Sequence, residues 1–386
     1  MNLQLHVRYR LGCGRRAELA REAQALGMIR PLLVTDPGVA AQPWFEPMLE
    51  AARAGGLTPT VFDGVRSNPV LDNVHAGLAA YRLDQHDGLV LVGGGSAMDT
   101  GKAIALAVGH DAPLFEYELL IGRRFKNIRA DSVPPMLAIP TTAGSGSEMS
   151  AGAVVTDSEA GIKRTLLHPS LTPGTVIADP ELTFALPPRL TAGTGMDALT
   201  HAFEAYCAPG YNPIADGVAL EAMRLIGIHL PRAICDPTDA DARTQMMMAA
   251  SMAAVAFQKG LGLVHAMAHP LGAVTDIHHG LANAILLPYV AHFNRAAIAE
   301  RMELLARYLG TPEPGLAGVM GWILALRAEV GIPHALREVP GIAVDGLAEA
   351  LAPKAAAEKA YLMTNPTRCG EDEIRAVYAA AIAGSL

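Results

Sequence analysis

Residues 88–102 read GLVLVGGGSAMDTGK, so a short apolar run passes into three glycines and then into a segment with helical character. A strand, a glycine turn and a helix in this order are typical of α/β proteins. The turn can bring backbone N–H groups close to a pyrophosphate, and the positive end of the following helix favours the same anion. Ser96 can add a hydroxyl donor beside Gly94 and Gly95. A tight strand–helix turn without a ligand has the same pattern, so both interpretations stay open at this point.

Other short apolar runs along the first half predict the rest of a sheet. They lie at residues 31–36, 60–63, 136–140 and 175–180, and helical patterns such as 16–26 and 73–83 separate them. Strands that alternate with crossover helices predict a parallel sheet covered on both faces. We therefore expect the first half to be an α/β domain of Rossmann-like type.

The second half has a different composition. Beyond Pro187-Pro188, Ala- and Met-rich segments such as 213–225, 242–257 and 297–309 replace the β-rich runs. Good helix formers dominate these segments, which predicts an all-α domain. The expected division is an α/β domain over residues 1–184 and a helical domain over residues 185–386.

The overall composition limits the classes of function. With 386 residues, 51% of them hydrophobic, and a net charge of −8, the chain is typical of a folded protein of two domains. It lacks the basic balance with which a nucleic-acid binder displaces counterions. It has no run of 18 apolar residues, no signal-peptide core in residues 1–8, and four widely separated cysteines. These features predict a cytoplasmic protein that binds neither nucleic acid nor membrane.

A carboxylate and a polar loop add to the nucleotide-binding pattern. Asp36 ends the predicted strand at 31–36, where a carboxylate can accept hydrogen bonds from ribose hydroxyls and repel a 2′-phosphate. This favours NAD over NADP, although an aspartate that caps the turn at Pro37-Gly38 fits the sequence equally well. The loop PTTAGSGSE at 140–148 follows another predicted strand, and its hydroxyls suit the rim of a nucleotide site.

Acidic and imidazole side chains recur at helical spacing in the second half. Asp197 and His201 lie four residues apart, as do His265 and His269, so each pair shares one helix face. The segment His278-His279-Gly280 supplies a third histidine-bearing turn. Such groups are costly among apolar residues unless they are paired or ligated. A single buried histidine is more often a hydrogen-bonded core residue, but two pairs and a third turn favour a site for Fe²⁺ or Zn²⁺.

A metal site combined with a dinucleotide site indicates hydride-transfer chemistry. A metal can act as a Lewis acid on the oxygen of an alcohol or aldehyde, and a nicotinamide can accept or donate the hydride. The chain has no GxSxG nucleophile elbow, which disfavours a hydrolase.

Four motifs together make the sequence similar to a known family. They are GGGSAMDTGKA at 93–103, PTTAGSGSE at 140–148, DPELT with GMDALTHAFEAY within 179–206, and GLGLVHAMAHPLGA with HHGLANAILLP within 260–288. In this order and spacing they resemble the iron-containing (group III) alcohol dehydrogenases over nearly the whole chain. The resemblance implies a dinucleotide-binding α/β domain, a helical metal-binding domain with the site in the cleft between them, and a homo-oligomer. Sugar-phosphate cyclases share this dehydroquinate-synthase-like architecture but lack GMDALTHAFEAY.

The resemblance also implies roles for individual residues. The implied metal ligands are Asp197, His201, His265 and His279, and His269 is implied to line the site as a proton relay or a support for the ligands. The implied cofactor contacts are Asp36 at the adenosine ribose, Gly94, Gly95 and Ser96 at the pyrophosphate, Asp99 near the nicotinamide, Thr141, Thr142 and Ser145 along the nucleotide, Lys163 at the nicotinamide ribose and Asn68 in a nearby turn. Fe²⁺ (or Zn²⁺) and NAD(H) are the implied cofactors.

The expected activity is hydride transfer between NAD(H) and a small primary alcohol or aldehyde. Phe257 and Lys259 precede the second histidine pair, where relatives place channel residues. We hypothesise that Lys259 pairs with an acid group on the substrate, with a surface lysine as the alternative. The other function hypotheses are a reductase of a semialdehyde, hydroxy acid or maleylacetate, a non-redox sugar-phosphate cyclase, and a nucleotide-binding regulator.

Overall fold

A computed structural model describes residues 7–118 and 128–386 of the chain. The chain divides into two compact units, residues 2–185 and 186–386, one residue beyond the division expected from the sequence. The first unit is α/β and the second is helical, which confirms the predicted fold class. Most of the segment considered for a signal peptide lies outside the described residues.

The α/β unit is built on a parallel sheet. Its strands, in spatial order, are β1 (Arg8–Leu11), β8 (Thr175–Ala178), β5 (Met136–Pro140), β4 (Gly88–Gly93), β2 (Pro31–Val34) and β3 (Thr60–Phe62). Each strand is parallel to its neighbours. Every residue of β2, β4, β5 and β8 is buried, as expected for strands that helices cover on both faces.

The helices of this unit connect the strands. They are α1 (Leu19–Ala25), α2 (Pro37–Ala40), α3 (Phe45–Ala54), α4 (Leu71–Leu83) and α5 (Gly95–Val108). Buried apolar side chains, among them Leu33, Leu49 and Leu137, pack α1 and α3 against the sheet. The glycine turn after β4 leads directly into α5, as the sequence predicts.

The strand order reverses between β2 and β4. From β2 the chain passes to β3 on one side and then to β4 on the other, and Val34 pairs with Leu91 across the two central strands. Ligands of open parallel sheets bind in the crevice outside the carboxyl ends of strands at such a switch point. Asp36 follows β2 and the glycine turn follows β4, so both predicted cofactor elements flank this point.

Two features of the α/β unit differ from the prediction. The edge strand β1 has the sequence RYRL, which is too polar to be recognised as a strand of a buried sheet. Its two arginines, Arg8 and Arg10, pair with the buried carboxylate of Glu22, each at 3.2 Å. An antiparallel hairpin of β6 (Gly152–Asp157) and β7 (Ile162–Leu167) also interrupts the expected alternation of strands and crossover helices. Both elements depend on partners that are distant in the sequence.

Residues 186–386 form helices without strands. The helices are α6 (Pro188–Cys207), α7 (Pro213–Cys235), α8 (Ala240–Ala256), α9 (Leu263–Thr275), α10 (His279–Phe293), α11 (Arg295–Leu309), α12 (Gly315–Glu329), α13 (Leu347–Ala357), α14 (Lys359–Leu362) and α15 (Glu371–Ala383). Helix α7 extends well past its predicted end at residue 225, because buried residues continue at helical spacing through Ala233. Among the described residues, no single helix is long and apolar enough to span a membrane, although 240–259 and 263–275 pass that test as a pair bent by 110°.

Candidate metal and nucleotide sites

Helix α6 presents three ionisable side chains on one face. Asp197, His201 and Glu204 are spaced at i, i+4 and i+7, and all three are buried. The Asp197 residue is only 4% exposed. A carboxylate so far from water needs a cation or hydrogen-bond donors to offset its desolvation. This face of α6 is therefore one wall of a buried polar site in the helical unit.

Two further helices bring imidazole rings to Asp197. His279 opens α10, and its Nε2 atom lies 3.7 Å from Asp197 Oδ1, while His201 Nε2 lies 4.0 Å from the same oxygen. The candidate ligand atoms of Asp197, His265 and His279 all lie within 4.8 Å of one another. The rings of His201 and His265 stack with their centroids 4.7 Å apart. The structure thus brings the four implied metal ligands together from α6, α9 and α10.

A carboxylate sets the orientation of His265. Its Nδ1 atom lies 2.5 Å from Glu204 Oε2, and Glu204 Oε1 accepts the N–H of Val264 at 2.7 Å. An ionised carboxylate only accepts hydrogen bonds, so the contact assigns a proton to Nδ1 and leaves the Nε2 lone pair facing the cluster. Carboxylates of this kind orient metal-binding imidazoles. The sequence prediction omits Glu204, although its place three residues after His201 on the same helix face is a usable signal.

The side chain of Asn283 lies where the lone pairs of the candidate metal ligands converge. Its Nδ2 atom lies 2.7 Å from Asp197 Oδ1, 3.1 Å from His279 Nε2 and 3.2 Å from His265 Nε2. Three acceptors therefore face one amide group that has only two N–H donors. A divalent cation satisfies all three at once, and a carboxylate with imidazoles is a donor set that suits Fe²⁺ or Zn²⁺. The residues present fit such an ion.

The approach of α10 to α6 depends on two glycines. A Cβ atom built on Gly280 would lie 2.2 Å from the carbonyl oxygen of Gly193, closer than real side chains come. The missing side chain of Gly280 therefore lets the adjacent His279 reach Asp197. His278 lies against Gly193 instead, with its Nδ1 atom 3.1 Å from the position that a Gly193 Cβ would take. Of the two neighbouring histidines, His279 is the one grouped with Asp197.

His269 lies beside the ligand cluster. Its ring centroid is 6.3 Å from that of His265 and 5.5 Å from that of His279. The ring of Tyr361 meets His269 edge-on at 4.9 Å, and Glu358 Oε1 lies 3.9 Å from His269 Nδ1. The sequence prediction omits Tyr361 and Glu358, because no spacing in the sequence connects them with a histidine almost a hundred residues earlier.

Phe257 and Lys259 have different surroundings. The Phe257 ring lies 5.1 Å from that of His201, so it borders the cluster. The Lys259 side chain is 1% exposed and its ammonium donates to Asp216 Oδ1 at 2.5 Å and to the Tyr206 carbonyl at 3.2 Å. The interpretation of Lys259 as a surface lysine is therefore wrong. Its pairing with Asp216 also disfavours the hypothesis that it binds an acid group of the substrate.

In the α/β unit, the glycine turn after β4 packs against the polar loop at 140–148. A Cβ built on Gly94 would lie 3.2 Å from a side-chain carbon of Thr142, and one built on Gly95 would lie 3.1 Å from the side chain of Ser145. The two predicted nucleotide-binding segments therefore form one surface. Side chains in place of these glycines would push the loop away.

The start of α5 contributes backbone donors to this surface. The helix begins at Gly95, and its N-cap Gly94 has no side chain with which to bond the first N–H groups. Ser96 lies in this first turn, and the Thr141 N–H donates to the Gly93 carbonyl at 3.0 Å. A helix N-terminus with such N–H groups is suited to a phosphate.

Asp36 is both a helix cap and a neighbour of the glycine turn. Its Oδ1 atom accepts the N–H of Val39 at 3.0 Å and so caps α2. Its Oδ2 atom lies 3.5 Å from the position that a Gly93 Cβ would take. The two interpretations of Asp36 are therefore compatible, because one oxygen caps the helix and the other faces the switch point.

Asp99 and Lys102 join α5 to the segment before and within β6. Asp99 accepts hydrogen bonds from the Ser147 hydroxyl at 2.7 Å and from the Val154 N–H at 3.0 Å. The Lys102 ammonium donates to three carbonyl oxygens within residues 147–152, at 2.5, 2.8 and 2.9 Å. Burial lowers the pKa of Lys102 to about 8 and raises the pKa of Asp99. Asp99 thus anchors the hairpin, and its contact with a nicotinamide stays a prediction.

Lys163 and Asn68 meet although they are 95 positions apart. Lys163 Nζ in β7 donates to Asn68 Oδ1 at 3.0 Å. Asn68 has a φ of 53°, in the left-handed region that asparagine tolerates better than most residues. The Thr156 N–H holds the following Pro69 carbonyl at 2.8 Å and so fastens the turn to the hairpin. Two expected cofactor residues are therefore neighbours.

Both units of the chain match models of known protein families. Residues 7–180 match the family model "Iron-containing alcohol dehydrogenase", and residues 191–382 match the model "Fe-containing alcohol dehydrogenase family, C-terminal".

Individual relatives match over most of their length. The chain is 37% identical to 1,3-propanediol dehydrogenase of Klebsiella pneumoniae over 93% of each protein. It is 39% identical to 4-hydroxybutyrate dehydrogenase of Cupriavidus necator over 83% of this chain and 85% of that protein. It is also similar to the solved structure of sulfoacetaldehyde reductase from Bifidobacterium kashiwanohense in complex with NAD+, with a TM-score of 0.88, 30% identity and 98% of each chain covered. The chain therefore belongs to the iron-containing alcohol dehydrogenase family of oxidoreductases.

Proposed function

We propose that the protein is a metal-dependent alcohol dehydrogenase or aldehyde reductase that uses NAD(H) and acts on small primary alcohols and aldehydes. The convergence of Asp197, His265 and His279 carries this proposal, because their ligand atoms lie within 4.8 Å of one another. His201, with Nε2 4.0 Å from Asp197 Oδ1, is the proposed fourth ligand. Membership of the family supports the reaction class.

The proposed cofactors divide the chemistry between them. When bound, Fe²⁺ or Zn²⁺ supplies a Lewis acid for the substrate oxygen, and the nicotinamide supplies or accepts the hydride. The protein contributes orientation and an apolar border. Glu204 keeps the proton on His265 Nδ1, so that Nε2 stays directed at the cluster. The rings of Phe257 and Tyr361 border the histidines.

His269 is the proposed proton relay. The residue is buried, and its Nδ1 atom lies 3.9 Å from Glu358 Oε1. The Glu358 side chain is 19% exposed, so the carboxylate beside the buried imidazole is in contact with solvent. An imidazole accepts and releases protons near neutral pH. We propose that His269 passes the hydroxyl proton of the substrate towards Glu358.

The α/β unit is the proposed site of NAD(H). The residues proposed to hold it are Asp36, Asn68, Gly94, Gly95, Ser96, Asp99, Thr141, Thr142, Ser145 and Lys163. The open N-terminus of α5 suits the pyrophosphate. The Oδ2 atom of Asp36 at the switch point favours NAD over NADP, because it would repel a 2′-phosphate. The NAD+ complex of sulfoacetaldehyde reductase supports the choice of cofactor.

The pairing of Lys259 supports a proposal for the substrate class. The named relatives include a dehydrogenase of a neutral diol and one of a hydroxy acid. The ammonium of Lys259 is buried and already donates to Asp216 and to the Tyr206 carbonyl, so it offers little to a carboxylate of the substrate. We propose neutral alcohols and aldehydes as the preferred substrates.

We also propose that the enzyme works in the cytoplasm as a homo-oligomer. The four free cysteines, Cys13, Cys207, Cys235 and Cys369, support a reducing compartment. Cell fractionation tests the first part of this proposal, and light scattering on the purified protein tests the second.

An absorbance assay at the NADH band tests the function. The purified protein with Fe²⁺ or Zn²⁺ is given NAD+ and a panel of short alcohols, or NADH and the matching aldehydes, and the absorbance must change with at least one pair. His265→Ala should lose both bound metal and turnover, whereas His292→Ala, an exposed histidine on α10, should keep both. Full activity of metal-free His265→Ala would contradict the proposal. If no substrate is turned over, the oxidoreductase proposal fails, and the hypotheses of a sugar-phosphate cyclase and of a nucleotide-binding regulator remain.

A further inference from the structure

Helix α10, which carries His279 and Asn283, contains a proline in its interior. Pro288 has no N–H, so the carbonyl four residues earlier, that of Ala284, loses its helical partner. The proline ring also crowds the carbonyls of the preceding turn. Ala284 is fully buried, so water does not replace the missing donor. A buried carbonyl in this position costs free energy unless another group donates to it.

A buried arginine of α12 donates to the carbonyl that Pro288 leaves without a helical partner. Arg327 is 2% exposed, and its Nη1 atom donates to the Ile285 carbonyl at 3.2 Å and to the Ala284 carbonyl at 3.4 Å. Its Nη2 atom donates to the carbonyl of His334 at 3.1 Å. Backbone carbonyls thus take the place of water around a cation that is costly to bury. The planar guanidinium is suited to this role because its Nη1 atom serves the two carbonyls of α10 while its Nη2 atom serves that of His334. A lysine ammonium is a single point donor and cannot reach both places as well.

We propose that Arg327 is a positioning residue that replaces the N–H missing at Pro288 and so holds the ligand-bearing turns of α10 in place. Ala284 directly follows Asn283, whose amide lies 2.7 Å from Asp197 Oδ1. His279 lies on the same helix four residues before Asn283. A displaced Ala284 carbonyl would therefore shift both side chains relative to Asp197. The effect on metal binding rests on the proposed function, whereas the hydrogen-bond replacement rests on the contact of α10 with α12 alone.

A double-mutant cycle tests the hydrogen-bond replacement. In the metal-free protein, Arg327→Met should lower the Tm by roughly 5 °C, because two buried carbonyls lose a donor. In a Pro288→Ala background the same change should lower the Tm by less than half as much, since the alanine N–H bonds to the Ala284 carbonyl. Arg243→Met is the matched control. Arg243 is also buried, but it lies on α8 and donates to the Pro237 carbonyl and the Thr191 hydroxyl. Its Tm loss should be equal in both backgrounds.

Binding of Co²⁺, followed by its absorption spectrum and by competition with a chelator, tests the positioning role. Arg327→Met should bind Co²⁺ about tenfold more weakly, as when other supports of metal ligands are removed. Addition of Pro288→Ala should restore the Kd to within about twofold of that of the wild type, since the two changes share one carbonyl. Arg327→Lys should fall between the wild type and Arg327→Met.

Two results would overturn the proposal. One is an equal Tm loss from Arg327→Met in both backgrounds, and the other is a Tm loss without any change in the Kd for Co²⁺. If Arg327→Met does not fold, Arg327→Lys is compared in the two backgrounds by the same criteria. A wild-type protein that binds no Co²⁺ would refute the metal site and with it the positioning role, while the Tm comparison would still decide the hydrogen-bond replacement.

Discussion

Glu204 and His265 form a buried carboxylate–imidazole pair in which Oε2 and Nδ1 are 2.5 Å apart. The second oxygen of Glu204 accepts the N–H of Val264, the residue next to His265 in the first turn of α9. One side chain of α6 thus fixes both the backbone and the ring at the start of α9. The histidine reaches the cluster with its Nε2 lone pair available because the opposite nitrogen is committed.

Replacement of Glu204 should weaken metal binding. Glu204→Gln removes the charge and offers an amide that can donate as well as accept, so the Nδ1 proton is no longer assured. We expect about a 10- to 100-fold loss of affinity for Zn²⁺ or Co²⁺, measured by competition with a chelator. Glu300→Gln, an exposed acid on α11, is the control and should leave the affinity unchanged. Equal affinity in the two variants would refute the orienting role of Glu204.

The close packing of Gly280 on Gly193 predicts a strong effect of one methyl group. Gly280→Ala places a Cβ 2.2 Å from the Gly193 carbonyl oxygen, so α10 must move away from α6. We expect a loss of roughly 1–3 kcal/mol in the free energy of unfolding, together with loss of bound metal. Gly321→Ala on α12 is the contrasting change, because nothing lies within 4 Å of its added Cβ. It should stabilise the helix by about 0.5–1 kcal/mol.

The two oxygens of Asp36 suggest a cleaner test of cofactor choice than complete removal of the side chain. Asp36→Ser keeps a capping oxygen for the N–H of Val39 but removes the charge. The ratio of kcat/KM for NADP+ to that for NAD+ should rise about tenfold, which corresponds to ~1.4 kcal/mol. Asp72→Ser, at an exposed acid in the first turn of α4, should not change the ratio. An unchanged ratio in Asp36→Ser would remove Asp36 from the cofactor site.

The hydrogen bonds of Lys102 predict that the hairpin of β6 and β7 supports the binding of the cofactor. Lys102→Met deprives buried carbonyls within residues 147–152 of their donor, and these residues adjoin the loop that packs on the glycine turn. We expect about a tenfold weaker Kd for NADH, measured by its fluorescence, since buried acceptors are left without a partner. Arg82→Met, at an exposed cation of α4, should bind NADH normally. Normal binding by Lys102→Met would show that the hairpin does not support the nucleotide loop.

The pairing of Lys259 with Asp216 predicts a structural effect and no effect on substrate preference. Lys259→Met leaves Asp216 without one of its two cationic partners, the other being Arg301 at 3.2 Å. The free energy of unfolding should fall by about 1–3 kcal/mol, and addition of Asp216→Asn should recover part of the loss. The ratio of kcat/KM for a semialdehyde to that for a neutral aldehyde of equal length should stay constant. A selective loss with the semialdehyde would instead support an acid-binding role for Lys259.

The parts of the fold that could be predicted are those that local chemistry specifies. The strands at 31–34, 88–93 and 136–140 are apolar at every position, since helices cover both faces of the sheet. The glycine turn after β4 is recognisable because Gly93 has a φ of 150° and the loop at 140–148 leaves little room for a Cβ on Gly94 or Gly95. By contrast, β1 is stabilised by Glu22, and the hairpin of β6 and β7 is held by Asp99, so neither shows in its own residues.

The candidate metal site also contains residues that the sequence predicts and residues that it does not. The pairs Asp197–His201 and His265–His269 follow from helical spacing, which is a property of the sequence alone. Glu358 and Tyr361 lie next to His269 only because the chain returns to this place almost a hundred residues later.

By itself the sequence determined the buried strands of the first unit, the glycine turn and the helix faces that carry acid and imidazole, because these depend on neighbours within one or two turns. The tertiary structure alone decided that Glu204 orients His265 and that Lys259 pairs with Asp216. It also places His279, the ligand that the family resemblance implies, rather than His278 beside Asp197. Those outcomes depend on how closely separate helices approach, and that distance is set by the volume and hydrogen bonding of residues far apart in the chain.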